Sequence, residues 1–322
     1  MYTIKTIRTG HWLVLAPLLF TVLLLTVASC KKDEDTTEPL QTIDQLISTN
    51  SQFTILRAAV ARAGLSGTLS GNGPFTVFAP NDAAFAAAGF NAAAINALDP
   101  GVVGAILQYH VLAGRTESGA IPTAVNTSVQ TSAGSSAFIT KTSSGSVSIN
   151  GARVVQANVP ASNGVVHVID RILIPSLGNI PAMLTTVSTL FPTATFTILN
   201  AAVTRAGLGG ALTGAGPLTV FAPTDAAFVS AGFPLSTVQG TAPTALANIL
   251  TYHVVSARGY SPLLTNGQSL TTLQTGTVTM GVSGTGVTVT GRGNGGTASR
   301  VILPDVSATN GVVHVVDRVL LP

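Results

Sequence analysis

"GPFTVFAPNDAAFAAAGF" occupies Gly73 to Phe90, and "GPLTVFAPTDAAFVSAGF" occupies Gly216 to Phe233, 143 positions later. The same offset relates "FTILRAAVARAGL" (Phe53 to Leu65) to "FTILNAAVTRAGL" (Phe196 to Leu208), identical at 11 of 13 positions. It also relates "QYH", ending in Tyr109-His110, to "TYH", ending in Tyr252-His253. "NGVVHVID" (Asn163 to Asp170) returns as "NGVVHVVD" (Asn310 to Asp317) at an offset of 147, so the second copy carries four extra residues before its last motif. A period this long exceeds a solenoid unit of roughly 20–50 residues. The 322-residue chain therefore reads as two copies of one domain, over 42–176 and 179–322.

Each copy has a local grammar. Phe53, Leu56 and Val60 fall at helical spacing, and Gly64 sits where a glycine ends a helix. "GPFTVFAP" is a strand entered by a Gly-Pro turn and stopped by Pro80. "NDAAF" then opens a helix that Asn81 or Asp82 can cap; Thr224 and Asp225 take those places in the second copy. A further helix is expected over 102–112 and again over 246–255. The remaining residues alternate in strand fashion between glycine turns. Helices first and strands later indicate an α+β domain with an antiparallel sheet system.

The chain is 46% hydrophobic and 8% charged, which suits buried cores and excludes the low-hydrophobicity, high-charge pattern of disorder. Its net charge of +3 includes Lys5 and Arg8, which precede an apolar run. Removing those two from the 15 basic residues leaves 13 against 12 acidic ones. Without a basic stripe, nucleic-acid binding has no support.

The N-terminus reads as an address. "MYTIKTIR" is cationic, and "LVLAPLLFTVLLLTV" (Leu13 to Val27) is apolar over 15 residues. That falls short of the ~20 residues of a membrane span and suits a secretory signal peptide over 1–29. The run ends in "VASC", whose Cys30 is the single cysteine and so has no disulfide partner. This ending resembles the bacterial lipobox, and the resemblance implies cleavage before Cys30 and acylation of that residue. An uncleaved anchor helix with an incidental cysteine is the alternative. "KKDEDTTEPLQ" then forms a flexible tether, completing the segment 30–41. Lys31 after the cysteine resembles Gram-negative sorting to the outer membrane, and "KKDED" resembles lipoprotein surface-export signals.

The repeated motifs resemble the fasciclin (FAS1) family. "TVFAPNDAAF" and "TVFAPTDAAF" match its first signature box, "NGVVHVIDRILIP" and "NGVVHVVDRVLLP" its second, and Tyr109-His110 and Tyr252-His253 its central pair. The resemblance covers about 42–322. It implies two tandem FAS1-like domains, each a twisted β-sandwich or wedge flanked by short helices, with no catalysis and no cofactor. It also implies an exported adhesion protein whose Tyr-His regions mark a candidate contact surface.

Two histidines per copy raise the question of a metal site. His110 follows Val103, Ile106 and Leu107, and His253 follows Leu246, Ile249 and Leu250, at the spacing of an apolar helix face. His167 shares a strand face with Val165 and Ile169, and His314 repeats that setting. Zinc wants three or four converging ligands, whereas each copy offers two histidines and no cysteine. His167 and His314, like Asp82 and Asp225, therefore read as structural. The string Gly291, Gly293, Gly296 matches GxGxxG but reads as a loop between strands. Asp170-Arg171 and Asp317-Arg318 read as a salt bridge or sheet-edge feature, and Asn126-Thr127-Ser128 is a glycosylation sequon. Nine aspartates and three glutamates, four of them in the tether, give a paired-carboxylate hydrolase little to work with.

The expected protein is lipid-anchored at the outer membrane through Cys30 and adheres to a cell-surface protein, matrix or polysaccharide. An envelope scaffold for one protein partner is the alternative, and an unrecognised glycan-processing enzyme a further rival.

Overall fold

The computed structural model describes residues 39–322 apart from 285. The signal peptide, Cys30 and the tether up to residue 38 lie outside the described residues. Residues 39–322 form one compact unit, and no helix among them is long and apolar enough to cross a membrane.

In the first copy the chain runs α1 (Ile43–Thr49), α2 (Thr54–Ala63), α3 (Ser66–Leu69), β1 (Phe75–Pro80), α4 (Asp82–Ala87), α5 (Ala92–Ala97) and α6 (Pro100–Tyr109). Strands follow: β2 (Val111–Ala113), β3 (Ala124–Gln130), β4 (Ser136–Lys141), β5 (Val147–Ile149), β6 (Ala152–Ala161) and β7 (Gly164–Ile169). The second copy repeats this with α7 (Ile180–Leu190), α8 (Thr197–Arg205), α9 (Gly209–Thr213), β8 (Leu218–Pro223), α10 (Asp225–Ser230), α11 (Leu235–Gly240) and α12 (Pro243–Tyr252). Its strands are β9 (Val254–Val255), β10 (Ser269–Thr271), β11 (Thr277–Ser283), β12 (Gly286–Gly291), β13 (Ser299–Ala308) and β14 (Gly311–Val316).

Each copy builds one seven-stranded sheet, in the orders β2-β1-β7-β6-β5-β4-β3 and β10-β11-β12-β13-β14-β8-β9. The α+β class expected from the sequence is the one observed. The sheet is not purely antiparallel, however. β1 pairs parallel to β7, from Phe75↔Gly164 to Pro80↔Ile169, and β8 pairs parallel to β14. Periodicity identifies a strand but not its partner's direction; here the first and last strands of a domain lie side by side.

β6 makes the sandwich. Its start pairs with β5 at Arg153 and Ala152, its remainder pairs with β7, and its register shifts between Val154, Gln156 and Val159. Such irregularities bend a strand, so the sheet folds over itself. Val77, Ala79, Val166 and Val168 then pack against Leu56, Val60 and Leu107 of the helices. Phe78 and Ile169, on the opposite face, pack against Ile139, Ile149 and Tyr109. β7 and β14 are buried at every position, as their unbroken apolar runs anticipate.

The helix boundaries need one correction. The helices expected over 102–112 and 246–255 stop at Tyr109 and Tyr252, and His110 and His253 are their C-caps. Val111 and Val254 already belong to edge strands. Gly64, by contrast, ends α2 as anticipated, in the left-handed conformation at φ +66°.

Candidate functional site

The repeated histidines sit on the central slab. His167 lies on β7 and is 1% exposed; His314 lies on β14 and is wholly buried. Nδ1 of His167 accepts the amide of Asn158 (3.2 Å), while Nε2 donates to the carbonyl of Thr116 (2.9 Å). His314 repeats this with the amide of Asp305 (3.2 Å) and the carbonyl of Gly259 (2.8 Å). An amide donates and a carbonyl accepts, so the proton is fixed on Nε2. The rings lie 5.3 Å from Phe78 and 5.5 Å from Phe221. Burial lowers the pKa of both imidazoles below its ordinary value.

His110 and His253 use the opposite tautomer. Nδ1 donates to the carbonyls of Ile106 (2.7 Å) and Ile249 (2.8 Å), one turn back on the same helix. Nε2 accepts the amides of Leu173 and Leu320 (2.9 Å each) in the tail that closes each domain. Burial pushes both imidazoles down to about 4. Both ring nitrogens of all four described histidines thus answer main-chain groups, which leaves none free to ligate a metal.

The Tyr-His pairs expected as a contact surface lie inside. Tyr109 and Tyr252 are 0% exposed, and His110 and His253 are 2% exposed. The Tyr109 hydroxyl donates to the carbonyl of Ser136 (2.9 Å) and accepts from Nδ2 of Asn150 (2.7 Å). Tyr252 donates to the carbonyl of Thr277 and accepts the amide of Arg292 (3.0 Å). The pair joins the end of a helix to the folded-over strands and the tail. Its apolar spacing already placed the histidine inward; the tyrosine follows because its hydroxyl finds a carbonyl there.

The motif carboxylates have structural partners too. Asn81 caps α4 through the amide of Ala84 (2.8 Å), and Thr224 caps α10 through that of Ala227 (3.3 Å). Asp82 is thereby free to reach across to α2, where it accepts the amides of Thr54 (3.2 Å) and Ile55 (2.9 Å) and the Thr54 hydroxyl (2.5 Å). Asp225 does the same for Thr197 (3.2 Å) and Ile198 (2.7 Å) at the start of α8. Each aspartate satisfies the orphan donors of a helix 28 residues upstream. Asp170 and Asp317 accept the amides of Arg153 and Arg300 (2.7 Å each) at the ends of the central pairs β7–β6 and β14–β13, a strand-end role in the middle of the sheet and not at its edge.

Sequence reasoning passed over the asparagine that opens the last motif. Asn163 Oδ1 accepts the amide of Ile43 (3.0 Å), and its Nδ2 donates to the carbonyls of Leu69 (2.8 Å) and Gly71 (2.7 Å). Asn310 holds Ile180, Leu212 and Gly214 in the same way (3.0, 2.9 and 2.9 Å). Gly164 and Gly311 follow because a Cβ there would overlap the carbonyl oxygens of Phe75 and Leu218. Recurrence of the Asn-Gly pair at both strand starts was the available signal.

The glycine string is a loop: Gly291 ends β12, Arg292–Asn294 form a single 3₁₀ turn, and β13 follows. The sequon's Asn126 already donates through Nδ2 to the carbonyl of Arg258 (2.9 Å). Apolar cavities of about 60 Å³ and 30 Å³ lie at equivalent places under α2 and α8, well below the ~150 Å³ that admits a benzene ring. On the surface, the bent strands present Val155 and Ile302 at corresponding positions, 57% and 51% exposed.

A family model described as Fasciclin domain matches the chain twice, over residues 51–175 and 194–322. The transforming growth factor-beta-induced protein ig-h3 of Sus scrofa is 31% identical over 266 residues, which are 79% of this chain and 35% of that protein. Protein sll1483 of Synechocystis sp. is 38% identical over 143 residues, 44% of this chain and 77% of that protein. The chain thus spans about a third of the ig-h3 protein that it matches. A solved FAS1 domain pair from the insect cell adhesion molecule Fasciclin I aligns over 87% of this chain and 96% of that one, at 18% identity and a TM-score of 0.40.

Proposed function

The chain belongs to the fasciclin domain family, and from that premise we propose that it works by binding rather than by catalysis. It is exported, held at the outer membrane by an acylated Cys30, and adheres through its two domains to a cell-surface protein, matrix or polysaccharide. One observation carries this reading: the histidines and aspartates of the repeated motifs are engaged with main-chain groups. The repeated motifs therefore specify a scaffold, and a partner meets the mostly uncharged surface built on it. Two domains on one tether raise the effective concentration of weak contacts, provided both engage together.

Protease treatment of cells carrying a C-terminal tag tests the placement. Digestion on sealed cells is expected. Protection until the outer membrane is opened would overturn surface adhesion and leave a periplasmic scaffold in its place.

A further inference from the structure

The two copies meet, and the faces that meet are not interchangeable. Asp305 of β13 corresponds to Asn158 of β6. Both have left-handed backbones, at φ +66° and +58°, and both amides donate to the strand histidine of their own domain. In the first domain the local arrangement is neutral and complete: Asn158 Oδ1 accepts the amide of Ser118 (2.8 Å) and Nδ2 donates to its hydroxyl (2.9 Å). In the second, the carboxylate of Asp305 accepts both the amide (2.6 Å) and the hydroxyl of Ser261. It also takes the guanidinium of Arg171, which comes from the first domain. Nη1 of Arg171 donates to the Ser261 hydroxyl as well (2.8 Å).

The neighbours differ in the same direction. Exposed Glu117 in the first domain becomes buried Tyr260 in the second, whose hydroxyl bonds Ser307 (2.8 Å) and donates to Oδ1 of Asn150 in the first domain (3.2 Å). Arg258 stacks 4.0 Å above the ring of Phe138. On the facing side, Asn150 and Gly151 form a two-residue turn at φ +44° and +81°, and a Cβ on Gly151 would overlap the Asp305 carboxylate. In the second domain the longer connection 292–298 replaces that turn. Thr279 stands there where the first domain has Phe138, two residues beyond the carbonyls that receive the buried tyrosine hydroxyls.

Domains in one chain are loosely coupled by default, and the buried carboxylate of Asp305, left without the half-buried Arg171, would be an uncompensated charge. We propose that the two domains dock as one body through a junction encoded in the differences between the copies. The differing residues are Phe138 and Asn150 on one side and Asp305 and Tyr260 on the other; Arg171 and Arg258, which recur as Arg318 and Arg115, supply the cations that these residues receive. A head-to-tail contact between like domains would otherwise propagate into filaments. Here the outward face of the first domain carries Glu117 and Asn158, and that of the second carries Thr279 and the longer loop, so neither reproduces the junction with a second chain.

Hydrogen exchange on the full-length chain tests this. Arg171→Ala removes a side chain whose hydrogen bonds all go to the second domain, and Phe138→Thr installs the residue found at the matching place in that domain. Each is expected to speed exchange around Ser261 in the second domain by about tenfold. Asp305→Asn installs the arrangement with which the first domain already folds, and is expected to speed exchange around Asn150 instead. Unchanged exchange across the junction in all three variants would overturn docking. Sedimentation of the unsubstituted chain should show no association with rising concentration; growth into larger species would overturn the claim that the junction cannot repeat.

Discussion

A histidine held between a main-chain donor and a main-chain acceptor cannot gain a proton without losing one of the two bonds. Protonating Nε2 of His110 would set two N–H groups against each other at Leu173, inside the core. Its pKa of about 4 and that of His253 lie below the ordinary ~6.5 of an unfolded chain. The unfolded state therefore binds more protons as the pH falls below 6.5, and folding weakens from there down to about 4. Each of the two should remove about 2 kcal/mol of stability between pH 7 and 5, measurable by denaturant unfolding at each pH. Any described histidine titrating near 6.5 by NMR would contradict this assignment. His167→Ala should lower stability by ~2–4 kcal/mol, through a cavity and two orphaned main-chain groups; an unchanged denaturation midpoint would remove its structural role. The burial of these residues was legible because the spacing places each on an apolar face. Their partners were not, since Leu173 lies 63 residues from His110 and no local pattern reports so distant a bond.

Elements were legible where their signals are local. Asn81, Pro80 and Gly64 mark a cap, a strand end and a helix end within a few residues of the structure they control. Contacts between elements were not legible: the parallel β1–β7 pair, the bend in β6 and the reach of Asp82 to α2 each depend on segments far apart in the chain. Asp82→Ala should therefore weaken α2 rather than α4, by ~1–2 kcal/mol, with exchange protection lost first at Thr54 and Ile55. Loss confined to α4 would show that the aspartate caps its own helix. Asn163→Ala strips one amide and two carbonyls of their partner at once and should cost about 2–4 kcal/mol by chemical denaturation. A change within experimental error would mean that water replaces the side chain.

For the whole molecule, the repeat declared two domains and their shared fold, and the same comparison held the information about their junction. That information lay in departures from the repeat, at Asn158 and Asp305 and at Glu117 and Tyr260, whose meaning appears once the two faces are seen together. A docked pair presents its outward surfaces in a fixed relation, which favours a partner that offers matching contacts at one spacing. Binding of the full chain to intact cells, to matrix and to isolated surface polysaccharide measures the central claim most directly. Saturable binding to one of these, leaving it chemically unchanged, is the expected result. No binding above that of an unrelated lipoprotein, or conversion of the bound material into product, would contradict it.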